Sequence, residues 1–498
     1  MTTRGGATLL AVRCETLAER GDPALSDALE YFDPDLVYVL REGFDPRIAS
    51  RFRRAFDGPV VRADDPRRDG WRVETVAGIR FLFADAPEQL TDSADDPPAD
   101  ADYVVCDAIE TRTDAVSLEV DLAGREAIAA YRARVADERA GDGGPTVLTG
   151  ALEAGYDHVW TATVDGSRVR LPVRGVGPIR RAGAAELACL ACGPDGSVAV
   201  SSVPADRFGL TALEGVGPET ADRLRAAGYD DRDAVAEAAL ADLRSVRGIG
   251  TATAETIRGS ARAVAEGRVV RRTDDPVPPA DATPLFVDIE TDGLHPTVIP
   301  LIGVYDPDRG AYVDFADRDP SRDDPGRATR EFVDWLAAEY DRPALVAWNG
   351  HEFDFPHLER FVAKYAPGFR EYWREHVSTY DPYDWAVRGD NAVLPGRTNR
   401  LGDVAAALDC DRGPEVAAID GRTLGTRIRR LLEADGAGAG AGAADGPDAV
   451  GVDWERARRY CEADVRELAA VYDAIVTAET TDESHDERET TQTGLTDF

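Results

Sequence analysis

The tightest constraint on this chain is the segment Pro284-Leu285-Phe286-Val287-Asp288-Ile289-Glu290. It reads as a strand. Alternation turns Leu285, Val287 and Ile289 to one face and Phe286, Asp288 and Glu290 to the other. An apolar strand of this kind belongs in a sheet's interior, where two carboxylates on one face are costly unless they are paired or bind a cation. A divalent Mg²⁺ or Mn²⁺ on oxygen ligands is the natural compensation. Any fold that accepts this strand must therefore bring further polar groups to its acidic face.

Two later segments can supply them. Leu345-Val346-Ala347-Trp348-Asn349 is an apolar strand running into Asn349, and Asp354 follows near a predicted helix start. Tyr460 and Asp464 lie at i and i+4 on a helix predicted from Asp453 to about Ile475, so they share a face that Leu468 and Val471 extend toward the sheet. Asp-x-Glu, Asn-x-x-x-Phe-Asp and Tyr-x-x-x-Asp thus occur in order over about 180 residues. This order resembles the DEDD superfamily of 3′–5′ exonucleases in its tyrosine subclass, on a ribonuclease-H-like fold. The wording Trp348-Asn349-Gly350-x-x-Phe353-Asp354-x-Pro356-x-Leu358 is most similar to the YprB-like branch. The resemblance implies two metal ions, Mg²⁺ or Mn²⁺. Asp288, Glu290 and Asp464 would hold the ion that activates water, Asp288 and Asp354 the ion at the leaving oxygen, and Tyr460 would orient the water. Two cations about 4 Å apart suit in-line displacement at phosphorus. Asn349 is expected to brace the second motif or touch substrate. His351 and His357 are expected to pack, and Tyr380, Tyr383 and Trp385 either to stack on bases or to fill the core.

Upstream lies a duplication. Leu213-Glu214-Gly215-Val216-Gly217-Pro218 and, about thirty residues on, Val246-Arg247-Gly248-Ile249-Gly250-Thr251 each read hydrophobic-x-Gly-hydrophobic-Gly entering a helix. The glycines permit a tight turn and leave amides bare at a helix N-terminus, a ready site for phosphate. Val216 and Ile249 would plug each turn into the module's core. The pair resembles the tandem helix-hairpin-helix domain of DNA repair and replication proteins, which implies backbone contacts through Gly215, Gly217, Gly248 and Gly250. From Ala205 to Arg272, 11 Arg balance 11 acids in a chain whose net charge is −36.

That charge comes from 93 acids against 57 basic residues, of which only Lys364 is lysine. The pattern resembles the proteins of salt-loving archaea, whose carboxylate surfaces stay hydrated in brine. Acidity of this origin does not exclude nucleic acid, because strong salt screens phosphate steering. One lysine does exclude a nuclease site of the Asp…Glu-x-Lys type in the N-terminal third. The 498 residues allow about three domains. No run is long enough to span a membrane, and the first residues are too short for a signal peptide, so a cytoplasmic protein is expected.

The expected organisation is an α/β domain of unknown function (1–203), a small all-α tandem hairpin domain (204–270), a linker (271–283), an α/β ribonuclease-H-like domain (284–476) and a disordered acidic tail (477–498). In the first domain, strands are expected at Thr8–Val12, Leu36–Leu40, Arg80–Phe83, Tyr103–Cys106 and Thr146–Leu148, a helix at Ala123–Ala136, and a loop at Gly175–Pro178. Cys189-x-x-Cys192 lacks the second pair a structural zinc site needs and is expected at a strand edge. The Gly436–Ala443 repeat reads as a flexible loop. The terminal Gln492-x-x-Leu495-x-x-Phe498 resembles the peptide that docks on the sliding clamp PCNA, though the usual second aromatic is missing. The function expected is a metal-dependent 3′–5′ exonuclease on DNA. The alternatives are an RNase or RNA/DNA-hybrid nuclease of the same fold and a non-catalytic DNA-binding adaptor.

Overall fold

The computed structural model describes residues 6–13, 16, 21–41, 46–63, 70–91, 97–113, 120–138, 144–178, 185–279, 282–410, 421–436 and 452–480. It forms two compact units, one of residues 1–212 with 413–452 and one of residues 213–412 with 453–498.

The first unit is built on two stacked sheets. One has the order Val198–Pro204, Glu186–Cys192, Ala7–Val12, Leu36–Val39, Val60–Arg62. The other runs Asp157–Val164, Ser167–Gly177, Thr146–Glu153, Tyr103–Val105, Ile79–Phe83, Arg72–Val76. Leu9, Leu36 and Tyr38 of the first meet Phe81, Tyr103 and Leu148 of the second in a dry layer. Helices Asp22–Phe32 and Pro46–Ala55 cover the outer face of the first sheet, and Arg125–Glu138 covers that of the second. The predicted strands appear with small changes of boundary, the largest being the extension of Thr146–Leu148 to Glu153.

Three expectations change here. Gly175–Gly177 is not a loop but the end of an eleven-residue strand. A Cβ at Gly175 would lie 2.0 Å from the Glu153 carbonyl oxygen, and one at Gly177 would lie 2.4 Å from that of Gly150. The glycines admit a close neighbouring strand, where the register also shifts. Cys189 and Cys192 lie on a strand paired on both sides, not at an edge. Both are fully buried thiols whose pKa values desolvation pushes up. Finally, helix Gly421–Gly436 belongs to the first unit although it lies within the expected 284–476 domain. Helix Gly421–Gly436 buries Leu424, Ile428 and Leu432, a stripe at i, i+4 and i+8. Its Arg430 reaches the Asp157 carboxylate at 3.2 Å. The repeat 437–443 lies outside the described residues.

The second unit starts with four short helices, α1 (Pro218–Ala226), α2 (Arg232–Glu237), α3 (Leu240–Ser245) and α4 (Thr251–Ala265). Strand β1 (Val270–Arg271) follows. Then comes a five-stranded sheet of β2 (Pro284–Glu290), β3 (Leu301–Asp306), β4 (Ala311–Ala316), β5 (Ala344–Val346) and β6 (Ser378–Tyr380), in the order β4-β3-β2-β5-β6. Helix α5 (Arg327–Glu339) precedes β5 and α6 (Asp354–Tyr365) follows it, β7 (Ala392–Val393) comes later, and helix α7 (Trp454–Thr477) closes the unit. Strands β2, β3 and β4 are antiparallel neighbours, while β2, β5 and β6 run parallel.

The alternation predicted for β2 holds. Leu285, Val287 and Ile289 join the core under α5 and α6, while Phe286 packs with Val465 and Leu468 of α7 on the opposite face. Asp288 and Glu290 therefore point toward α7. No helix of the described residues is long and apolar enough to cross a membrane.

Candidate nuclease site and hairpin pair

The acidic site lies at the C-terminal ends of the parallel strands, the usual crevice of such sheets. Strand β2 delivers Asp288, half-buried, and Glu290, 5% exposed. Helix α7 crosses behind them. It is capped by the Asp453 carboxylate, which accepts from the Arg456 amide at 3.0 Å. Close crossing is possible because Gly303 sits opposite Asp288 on β3. A Cβ there would be 2.5 Å from Cys461 Sγ. Ligand atoms of Asp288, Glu290 and Cys461 all lie within 4.8 Å of one another.

Asp464 is one turn from Tyr460 on α7, and both are half-buried. Burial, and after it the charges of Asp288, Glu290 and Asp464, push the Cys461 thiol well up. Asp354 opens α6 and is 6% exposed. It accepts from its own amide and from the Ile289 amide, which places it against the end of β2. Burial, with Asp381 and Asp464 adding repulsion, raises its pKa from 3.8 to about 7. Asp288, Glu290, Asp354 and Asp464 are thus brought together from one strand and two helices.

The second motif is held by a carboxylate that the sequence does not single out. Asp381 follows β6 and is 5% exposed. Its Oδ1 accepts from the amides of Asn349 and Tyr383 at 3.0 Å and of Asp384 at 3.3 Å, and its Oδ2 from the His351 amide at 3.3 Å. Asn349 has φ +55°, a left-handed conformation that Asn tolerates. Its side-chain oxygen accepts from Arg388 at 3.0 Å, and Arg388 also binds Asp384 at 2.6 Å. His351 is paired through Nδ1 with Asp384 at 2.7 Å. These bonds fix the turn that aims Asp354. His357 packs edge-on against Phe353. Trp385 lies under the Arg271 guanidinium, and Tyr383 packs against Trp348.

The donors of the acidic cluster are four carboxylates. Cys461 Sγ lies beside two of them, Asp288 and Glu290, and the four carboxylates are the hard donors. A hard all-oxygen set of this kind, with two buried members and mutual repulsion, suits Mg²⁺ or Mn²⁺.

The two glycine turns are near copies. Gly215 and Gly248 have φ +76° and +85°. Gly217 and Gly250 cap α1 and α4 with φ/ψ of −82°/175° and −88°/178°. The Val216 amide donates to Leu213 and the Ile249 amide to Val246, both at 3.0 Å. Val216 and Ile249 are 6% and 5% exposed, the plugs expected of them. Nothing lies within 4 Å of a Cβ built on Gly217 or Gly250, so both turns are open to solvent.

The family described as the RNase H superfamily matches residues 285–476, and that described as a SAM-like helix-hairpin-helix tandem matches residues 209–263. The RNase H-like domain lies within residues 285–476, with helix Gly421–Gly436 grouped in the first unit. Among solved structures, E. coli exonuclease I in complex with a dT13 oligonucleotide is similar at 19% identity and TM-score 0.21, over 27% of this chain and 37% of that one. The zinc-bound form of the E. coli enzyme with single-stranded DNA gives 17% and 0.22, over 31% and 41%. A predicted phosphoesterase from Streptococcus pneumoniae gives 10% and 0.19, over 40% and 90%. The chain spans only about two fifths of the exonuclease I chains it matches. Within the RNase H-like domain, Asp288 and Glu290 face α7, which carries Tyr460 and Asp464, and Asp354 joins them from the start of α6 at the end of β2. The tail residues Gln492, Leu495 and Phe498 lie outside the described residues.

Proposed function

We propose that the chain is a metal-dependent 3′–5′ exonuclease acting on DNA. The observation that carries this reading is the convergence of Asp288, Glu290, Asp354 and Asp464 at one end of the RNase H-like sheet. Asp288, Glu290 and Asp464 would hold one ion, and Asp288 and Asp354 a second. Such a pair, when bound, supplies an activated water and neutralises charge at the leaving oxygen. The chain's own residues do the rest. Tyr460 orients the water from the same helix face as Asp464. The Asp381 brace keeps Asp354 aimed, and Asn349, tied to Arg388, shapes the wall beside it. The open amides at Gly217 and Gly250 grip phosphates, with Gly215 and Gly248 setting the turns, so the grip is independent of sequence.

The experiment is digestion of end-labelled single-stranded DNA, duplex DNA and RNA with Mn²⁺ in high salt. The expected result is shortening from the 3′ end, fastest on DNA, and abolished by chelation. Preference for RNA would favour an RNase of the same fold, and binding without turnover would favour an adaptor. The C-terminal peptide would tether the enzyme to a sliding clamp through Gln492, Leu495 and Phe498. A clamp pull-down should lose its signal in the Leu495→Ala/Phe498→Ala double variant, and equal recovery would end that part of the reading.

A further inference from the structure

The segment 271–283, which reads in the sequence as a linker, is bound to the RNase H-like domain along much of its length. Strand β1 pairs antiparallel with β7, Val270 opposite Val393 and Arg271 opposite Ala392. The ladder continues as the Arg272 amide donates to the Asn391 carbonyl at 2.8 Å, and Thr273 Oγ1 donates to Asn391 Oδ1 at 2.7 Å. Val269 and Val277 share a core with Ala392, Leu394 and with Val471 and Ile475 of α7, the helix that carries Tyr460 and Asp464. Tyr472 of that helix donates to the Pro279 carbonyl at 3.3 Å. Chain leaving the hairpin module is therefore seated against the C-terminal half of the helix whose N-terminal half carries Tyr460 and Asp464.

One side chain closes the remaining gap. Arg272 is 23% exposed and forks between two carboxylates. Its Nη2 meets Glu214 Oε2 at 2.6 Å, and its Nη1 bonds Asp390. Glu214 belongs to the first glycine turn, one residue before Gly215, and its amide donates to Ser260 Oγ of α4 at 3.1 Å. Asp390 belongs to the turn before β7. The two hairpins are themselves joined by Arg223 of α1, which donates to the Arg247 carbonyl of the second turn at 2.5 Å. Hairpin two, hairpin one, Arg272 and the RNase H-like domain thus form one continuous series of contacts. A guanidinium is suited to this post because its planar fork can serve two acceptors at once.

We propose that Arg272 is a positioning residue that fixes the hairpin pair at a set offset from the acidic site, so that efficient substrates are nucleic-acid strands long enough to occupy both. This rests on the nuclease reading above and adds a length requirement to it. Two linked contacts on one strand raise its effective concentration at the second site only if the geometry lets both engage together. A fixed offset turns that condition into a step. Strands shorter than the offset see the acids alone, and longer ones see both.

The test uses the full-length protein, Mn²⁺ and end-labelled single strands of graded length. Wild-type protein is expected to show a step in kcat/KM of about tenfold or more at a threshold length, carried mainly by KM. Arg272→Ala, and independently Asp390→Asn, should flatten that step severalfold while leaving the rate on strands below the threshold unchanged. Asn is chosen at 390 because the residue has φ +57°. Retention of the full step in both variants would overturn the proposal. So would an equal fall on short and long strands, which would make Arg272 a general stabiliser of the domain. A wild-type protein that degrades all lengths alike rejects the length requirement and leaves the nuclease reading standing. A protein that degrades nothing rejects both.

Discussion

On the proposed reading, the hairpin pair and the acidic cluster meet a polyanion in opposite ways. The hairpins offer uncharged backbone amides in two local turns, each contained in about six consecutive residues and each open to solvent. Their dihedral angles agree to within ten degrees, so the turns are interchangeable in kind. The acids are unlike one another, partly buried and drawn from positions as far apart as 288 and 464. Repeated local units should contribute additively, whereas carboxylates sharing one charge-balanced pocket should fail together. A strand held by neutral amides can also slide without a large charge penalty, which suits the end-trimming activity proposed above.

The sharpest way to break this contrast is to remove single acids. Asp288→Ala and Asp464→Ala should each lower Mn²⁺-dependent degradation by about a thousandfold or more, and the double variant should fall little further. Affinity for a long single strand, measured by anisotropy with the metal chelated, should stay within a few fold of wild type. Additive losses, or undiminished activity in either variant, would deny that the four carboxylates act as one site.

The hairpins should respond in the other manner. Gly217 and Gly250 have ordinary extended backbone angles and open space around a would-be Cβ, so valine fits at both. Gly217→Val and Gly250→Val should each weaken strand binding by roughly three- to tenfold, equally across sequences, with the double variant showing the product of the two. Melting curves should change little. The same substitution at Gly215 or Gly248 would instead strain a left-handed turn and unfold the module. Unchanged affinity in the double Gly217/Gly250 variant would remove the hairpins from the binding surface.

What could be read in advance follows the same divide between local and distant structure. The burial of Val216 and Ile249, the two faces of β2 and the helix bearing Tyr460 and Asp464 all follow from spacing within one segment. Asp381 does not. It is one acid after a three-residue strand; Tyr383 and Asp384 are its own near neighbours in sequence, but the Asn349 and His351 amides reach it only when β6 lies beside β5. Gly175 and Gly177 are misleading for a related reason. Glycine marks either a turn or a close approach, and only the neighbouring strand decides which. The linker reading of 271–283 rests on its prolines and acids, which mark a boundary in composition without revealing that β7, more than a hundred residues later, supplies a partner. Likewise, the helix Gly421–Gly436 sits next to a low-complexity repeat, and its apolar stripe does not disclose which core it serves.

The smallest effect separates the acids among themselves. In the chelated protein Asp354 keeps its proton up to about pH 7, while in the unfolded chain it releases it near 3.8. Between those values the folded state binds the extra proton, so this group's contribution to stability falls as pH rises and is fully lost above about 7. From pH 5 to 7.5 the loss amounts to at most about 3 kcal/mol, taking 1.36 kcal/mol per unit. Urea melts in EDTA should therefore show a downward slope over this range that Asp354→Asn reduces, because the amide cannot ionise. The other titrating groups are common to both proteins, so the difference between the two curves reports position 354 together with the acids it repels, Asp381 and Asp464. If the curves run parallel from pH 5 to 7.5, Asp354 is already ionised beside its neighbours without a cation. The repulsion that makes this cluster a cation site would then be weaker than its burial implies.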